Sequence, residues 1–186
     1  PGGSYSVLQT GAAYNLTLTG GGGTCALCVR HWSQGGAAPW AHNVYDHRPT
    51  KEMRQRGCAV TAAAMLLDRL GVTTLPGGAS LDPGTLNTYL TNQLDGFKNH
   101  NINWAGNAMT GLVGSTSAAF AFDTITIDSE LSRGNPVIMD VGGHFVLVTG
   151  KVLQSGQYTY AIEDPGYSAR RYLNDAAYNN SFDHAV

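Results

Sequence analysis

The order of the hydrophobic patterns constrains this chain most: helix-period stripes come first and strand-period alternation follows. From Cys58 to Leu70, the residues Ala62, Met65, Leu66 and Leu70 fall at i, i+3, i+4 and i+8, and Gly71 closes the segment. Asp82-Pro83 supplies an N-cap followed by proline at the first helical position, which predicts a second helix through Leu86, Tyr89 and Leu90 to about Leu94. A short third helix is expected from Asp128 to about Ser132, ahead of Gly134. From Pro136 the texture changes. Residues 136–141, 144–152 and 158–164 read as strands, with Gly142-Gly143 and Gln154-Ser155-Gly156 at the turns, and together they predict an antiparallel meander. Helices followed by sheet is an α+β pattern, not the alternation of a doubly wound fold.

The flanking segments carry less periodicity. Residues 1–24 predict short strands punctuated by the Gly20–Gly23 run, a separate N-terminal segment ahead of one domain over residues 25–186. The glycine run lacks the Gly-Lys-Ser/Thr that a phosphate-binding loop requires, so it reads as a flexible turn. Residues 31–56 hold His31, Trp32, Gln34, Trp40, His42 and His47 with no period, and predict a long aromatic loop. Of the 186 residues, 11 Lys+Arg stand against 13 Asp+Glu with no basic block, which argues against a nucleic-acid partner. No apolar run reaches the length of a membrane span, and no signal segment opens the chain. Beginning at Pro1, it is expected to be a processed protein or part of a larger polypeptide.

Three cysteines divide into two and one. Cys25 and Cys28 form a C-x-x-C, while Cys58 stands alone after Gly57 at the start of the strongest helix. A thiol there sits among backbone N–H groups with no intrahelical partner and at the positive end of the helix dipole, which favours its thiolate. Gly57 would let a substrate backbone approach. A free cysteine is also often just a small buried hydrophobe. His144 opens a strand directly after Gly142-Gly143, and Asp164 ends the next one. A turn centred on residues 154–156 pairs His144 with a residue between 164 and 167, so Asp164 lands beside it. The two side chains meet only if the register puts them on one face. A carboxylate so placed orients an imidazole and stabilises its cation, completing the logic of an activated thiol nucleophile.

The segments 57–71, 135–150 and 162–166 resemble papain-like cysteine peptidases, in the branch similar to bacteriocin-processing (double-glycine) peptidases. The three motifs occur in that family's order and span about Gln34 to Tyr172. The resemblance implies a two-lobed fold, with a helical lobe opened by the nucleophile helix against a twisted antiparallel sheet. It implies Cys58 as nucleophile, His144 as general base and acid, and Asp164 as the orienting residue. It also implies an upstream glutamine whose amide joins the Cys58 N–H in binding the oxyanion. Ser33-Gln34 with Trp40 points to Gln34; Gln55, three residues before Cys58, is the alternative. Gly143 and Trp40 join Gly57 as expected substrate contacts. The reaction implied is peptide or amide hydrolysis through an acyl-thioester, on a peptide or protein substrate, with no metal or organic cofactor needed.

The other readings keep the same residues. Amide transfer resolves the acyl-enzyme with an amine in place of water, and a peptide-binding module of a larger exported or phage-associated protein keeps the shape without turnover. Cys25 and Cys28 read first as a disulfide, which suits an extracytoplasmic or secreted protein and leaves Cys58 free. The alternatives are a zinc half-site with His31, or two buried thiols with no special role.

Overall fold

The computed structural model describes residues 4–10, 13–19, 27–114, 120–121, 123–174 and 184–185. In chain order the elements are β1 (Ser4–Thr10), β2 (Ala13–Thr19), β3 (Val44–Tyr45), β4 (Arg48–Glu52), α1 (Met53–Arg56), α2 (Cys58–Arg69), α3 (Pro83–Thr91), β5 (Phe97–Lys98), β6 (Asn101–Ile102), α4 (Asn107–Val113), β7 (Phe120–Ala121), α5 (Thr124–Ser132), β8 (Val137–Asp140), β9 (Phe145–Gln154), β10 (Gln157–Glu163) and β11 (His184–Ala185). The fold is mixed helix and sheet, of α+β organisation. No helix among the described residues is long and apolar enough to cross a membrane.

The expected meander is present. β8, β9 and β10 are sequential and antiparallel, and β11 and β7 extend the sheet beyond β8. Side chains alternate between two cores, as the period of a strand requires. Ile138 and Leu147 face the core built around α2 and α3, whereas Val137, Met139, Val146 and Val148 face a second core with Ile127 of α5. With both faces covered, β8 is buried along its whole length.

α2 begins and ends as its sequence predicts, with Leu70 at the C-cap and Gly71 beyond it at φ +88°. Ala62, Ala63, Ala64 and Met65 are all 0% exposed. Small side chains let neighbours approach from nearly every side, so the helix is enveloped, and Leu70 is left outside the core. α3 starts at the Asp82 cap, where the carboxylate accepts from Thr85 N and the Thr85 hydroxyl from Asp82 N.

Three expectations are corrected. The second helix stops at Thr91, and Leu94 lies beyond it, fully exposed. The third helix starts at Thr124, because Asp123 accepts from Ile125 N and Thr126 N and caps it earlier than the apolar pattern showed. Residues 31–56 are not one long loop: β3 and β4 pair as a hairpin and α1 leads straight into α2. Asp46 forms that hairpin's turn at φ +51°, a conformation that Asp tolerates better than most residues and that strand alternation does not reveal. The N-terminal strands pair over Ser4↔Thr19 to Thr10↔Ala13, while the Gly20–Gly23 run and Cys25 lie outside the described residues.

Candidate active site

Cys58 is the first residue of α2, partly exposed and a free thiol. Its helix has Gly57 at the N-cap, so no side chain occupies the terminal N–H groups, and no acidic residue sits in the first turn. Gly57 has a packing reason of its own. The residue is buried, and a Cβ there would lie 2.5 Å from the Met53 carbonyl oxygen and 2.9 Å from Met53 Cε. Gly57 N donates to that same carbonyl at 2.7 Å. The glycine is required for α1 to turn into α2 without a gap.

His144 follows a tight hairpin turn. Gly142 and Gly143 have φ of +74° and +83°, both central positions of a primed turn, and Val141 N donates to His144 O at 2.8 Å. Asp140 closes the turn by accepting from Gly143 N at 2.7 Å. The identity of Gly143 is thus explained by backbone conformation.

The imidazole Nε2 lies 2.7 Å from Asp164 Oδ1. That carboxylate is buried, and the same oxygen accepts from Gly166 N at 2.8 Å and Tyr167 N at 3.1 Å. An irregularity in the sheet allows the meeting. Gly150 pairs with Ala161 but Val148 pairs with Ile162, so Thr149 is an extra residue in β9. Continuing the pairing from Leu147↔Glu163 sets Val146 opposite Asp164, and His144 is two positions before Val146, on the same face. Without the bulge Leu147 would stand opposite Asp164, and the imidazole would point to the other side.

Burial of His144 disfavours its charged form, but hydrogen bonds with Asp164 and then Cys58, together with the charges of both, outweigh it and raise the imidazole from 6.5 to about 9. The ring therefore carries a proton at neutral pH, and its Nε2 contacts the carboxylate. Behind the site, burial together with the Cys58 and Asp46 charges pushes the Tyr45 phenol far above its ordinary range. It stays neutral and donates to His100 O at 3.0 Å.

A cleft of about 570 Å³ opens beside His144, with Gln34, Arg54, Gln55, Gly166 and Tyr167 among its walls. Both glutamines line it, in different states. Gln34 is 9% exposed, its backbone N donates to Pro165 O at 2.9 Å, and its side-chain Nε2 donates to Arg54 O at 3.1 Å. One amide hydrogen is left over, and Oε1 is buried without a partner among the described residues. Gln55 is exposed, and its Oε1 accepts from Glu52 N as part of the α1 cap. Gln34 is held between the strand-end loop of Asp164 and helix α1, as a fixed donor must be; Gln55 is committed to a cap.

Trp40 does not line this cleft. It borders a separate hollow with Tyr89 and Asn92, and its indole N–H donates to Ser33 O at 2.8 Å. That bond ties Trp40 to the segment carrying Gln34. The zinc alternative includes Cys25, which lies outside the described residues; among those described, no three His, Cys, Asp or Glu are grouped to hold a metal. His31 Nδ1 is 2.8 Å from Glu163 Oε2, 132 positions away, and Cys28 is an exposed free thiol. The Cys25–Cys28 pairing involves a residue outside those described.

Sequence reasoning passed over Tyr167 and Arg170. Tyr167 meets His144 edge-on at 5.9 Å between ring centroids, and the Arg170 guanidinium lies 3.5 Å from the Tyr167 ring centroid. Nothing in the local pattern marks them, since their role exists only once the loop after β10 folds back. Gly166 is the one signal: a Cβ there would stand 3.1 Å from His144 Cε1. In comparisons with known protein families, with curated proteins and with solved structures, nothing matches this chain.

Proposed function

We propose that this chain is a papain-like cysteine peptidase, hydrolysing a peptide or amide bond through Cys58, His144 and Asp164. The observation that carries the reading is the imidazole of His144, bonded at Nε2 to the buried Asp164 carboxylate, with its proton affinity raised in part by Cys58 at the start of α2. Asp164 takes Nε2, which leaves the other ring nitrogen for sulfur chemistry. In the reaction His144 takes up the proton of Cys58, and the sulfur attacks as the thiolate. The thiolate adds to the scissile carbonyl carbon. The oxyanion formed accepts from the Cys58 backbone N–H and from the spare amide hydrogen of Gln34. His144 then gives its proton to the departing amine, the C–N bond breaks and a thioester remains. The neutral imidazole next takes a proton from water, hydroxide oxygen bonds to the thioester carbon, and the thiolate leaves with the acid released. The α2 N-terminus, free of a side-chain cap, and the uncharged Gln34 amide support this assignment.

The deciding experiment is Cys58→Ala in a broad peptide mixture analysed by mass spectrometry. Fragments released by the wild type are expected to vanish, together with alkylation by iodoacetamide at mildly acidic pH. Full turnover in that variant would remove Cys58 from the chemistry and the proposal with it.

A further inference from the structure

The loop after β10 brings one cation to both partners of the His144 ring. Arg170 Nη1 lies 4.0 Å from Asp164 Oδ2, the carboxylate oxygen turned away from the imidazole. The same guanidinium lies 3.5 Å from the centroid of Tyr167, whose ring stands edge-on to His144. Arg170 is 28% exposed at its side chain and Asp164 0%, so this interaction is screened far less than a surface pair.

Resting on the reading of the site as a thiol hydrolase, we propose that Arg170 is a positioning residue, which keeps the buried Asp164 carboxylate charged and in place while His144 passes through its neutral form, and fixes Tyr167 as a wall of the cleft. The need follows from the proton bookkeeping of the cycle. While the imidazole is charged, it compensates Asp164 by itself. Once His144 has given its proton to the leaving amine, a carboxylate cut off from water faces a neutral ring, and a buried charge without a counter-ion is costly. Arg170 supplies a positive charge that no step of the reaction removes. With Asp164 held ionised, the neutral imidazole keeps its hydrogen on Nε2, and its other nitrogen stays free to deprotonate water. The stacked Tyr167 ring limits rotation of the imidazole out of that arrangement.

Among the described residues, the titratable or charged groups near the ring also include Cys58 on α2, Asp140 in the turn before it, and Arg54 in the wall of the same cleft. None of them changes in the variants below. The test is the NMR titration of the His144 ring, assigned by its loss in His144→Ala, in wild type, Arg170→Gln and Arg170→Lys. Removing the cation strengthens the hold of Asp164 on the imidazolium, so Arg170→Gln is expected to raise the His144 midpoint by about 0.5 to 1 unit, and Arg170→Lys to restore most of it. Deacylation, which needs neutral His144, is expected to slow about tenfold in Arg170→Gln while acylation changes less. Tyr167→Leu removes the shelf under the guanidinium at an exposed position and is expected to shift the midpoint the same way by a smaller amount. It carries the test if Arg170→Gln does not fold. An unchanged His144 midpoint in the folded variant would overturn the proposal. This outcome is separable from failure of the enzymatic reading, because the titration needs no substrate and Cys58→Ala tests turnover by itself.

Discussion

His144 Nε2 lies 2.7 Å from Asp164 Oδ1, just past the paired ends of β9 and β10, whose register is shifted by one residue at Thr149. The bulge shifts the register by one residue between the far end of β9 and its start, where His144 follows the Gly142-Gly143 turn and lies beside Asp164. The carboxylate has three donors on one oxygen, from a ring and two backbone amides, and all three would lose their acceptor together.

Asp164→Ala is therefore expected to lower the His144 midpoint from about 9 toward 6.5, since the carboxylate's bond and charge no longer offset burial. Turnover of a peptide substrate should fall about 10²- to 10⁴-fold. NMR titration of His144 and steady-state kinetics measure the two effects separately.

Stability should depend on pH through the same ring. A folded-state value raised from 6.5 to about 9 contributes stability that is fully present below about pH 6.5 and lost as pH rises through 9. The shift corresponds to about 3 kcal/mol. Urea unfolding midpoints at pH 6, 7.5 and 9.5 should decline in the wild type and stay flatter in His144→Gln. Equal declines in both would mean that another group controls the alkaline limb.

A second titrating joint acts in the opposite pH range. Asp46 accepts from His100 Nδ1 at 2.8 Å and from His47 Nδ1 at 2.9 Å, and Asn87 Oδ1 accepts from its backbone N. Burial raises the carboxyl, but the bonds from His100 and then His47 outweigh it and leave it below its ordinary 3.8. Its contribution is present above about pH 3.8 and lost as pH falls through the lower folded-state value. Asp46→Asn is expected to cost about 1 to 3 kcal/mol at pH 7 and to flatten acid unfolding followed by circular dichroism.

Gly57→Ala places a methyl carbon 2.5 Å from the Met53 carbonyl oxygen, a contact that backbone alone must relieve. Thermal unfolding should show a loss of about 2 kcal/mol or more, with α1 and the Gln34 amide displaced from Cys58.

The two glutamines are separable by kinetics. Gln34→Ala is expected to lower kcat about 10- to 10³-fold with little change in KM, as removal of an oxyanion donor does. Gln55→Ala should leave kcat within about twofold and cost only the few tenths to 1 kcal/mol of a cap. The reverse ranking would transfer the oxyanion role to Gln55.

Much of this protein is determined by its sequence alone, because much of it depends on local physics. The Asp82-Pro83 cap, the small-residue face of α2, the glycine pairs at positive φ and the alternation in 136–164 are decided by neighbours a few residues apart, so most helix and strand positions can be read without a fold. What tertiary structure decided is what distant segments do to one another. Thr149 becomes an unpaired residue only when β9 meets β10, and that sets the face on which His144 points. Gln34 becomes a fixed amide only between Pro165 and Arg54, respectively 131 and 20 positions away, and Trp40 a packing residue only through Ser33. Arg170 and Tyr167 acquire a place beside the imidazole only when their loop folds back over Asp164. Propensity and capping act within a turn of chain, whereas register, burial and hydrogen bonds across the cleft require the segments to be packed together.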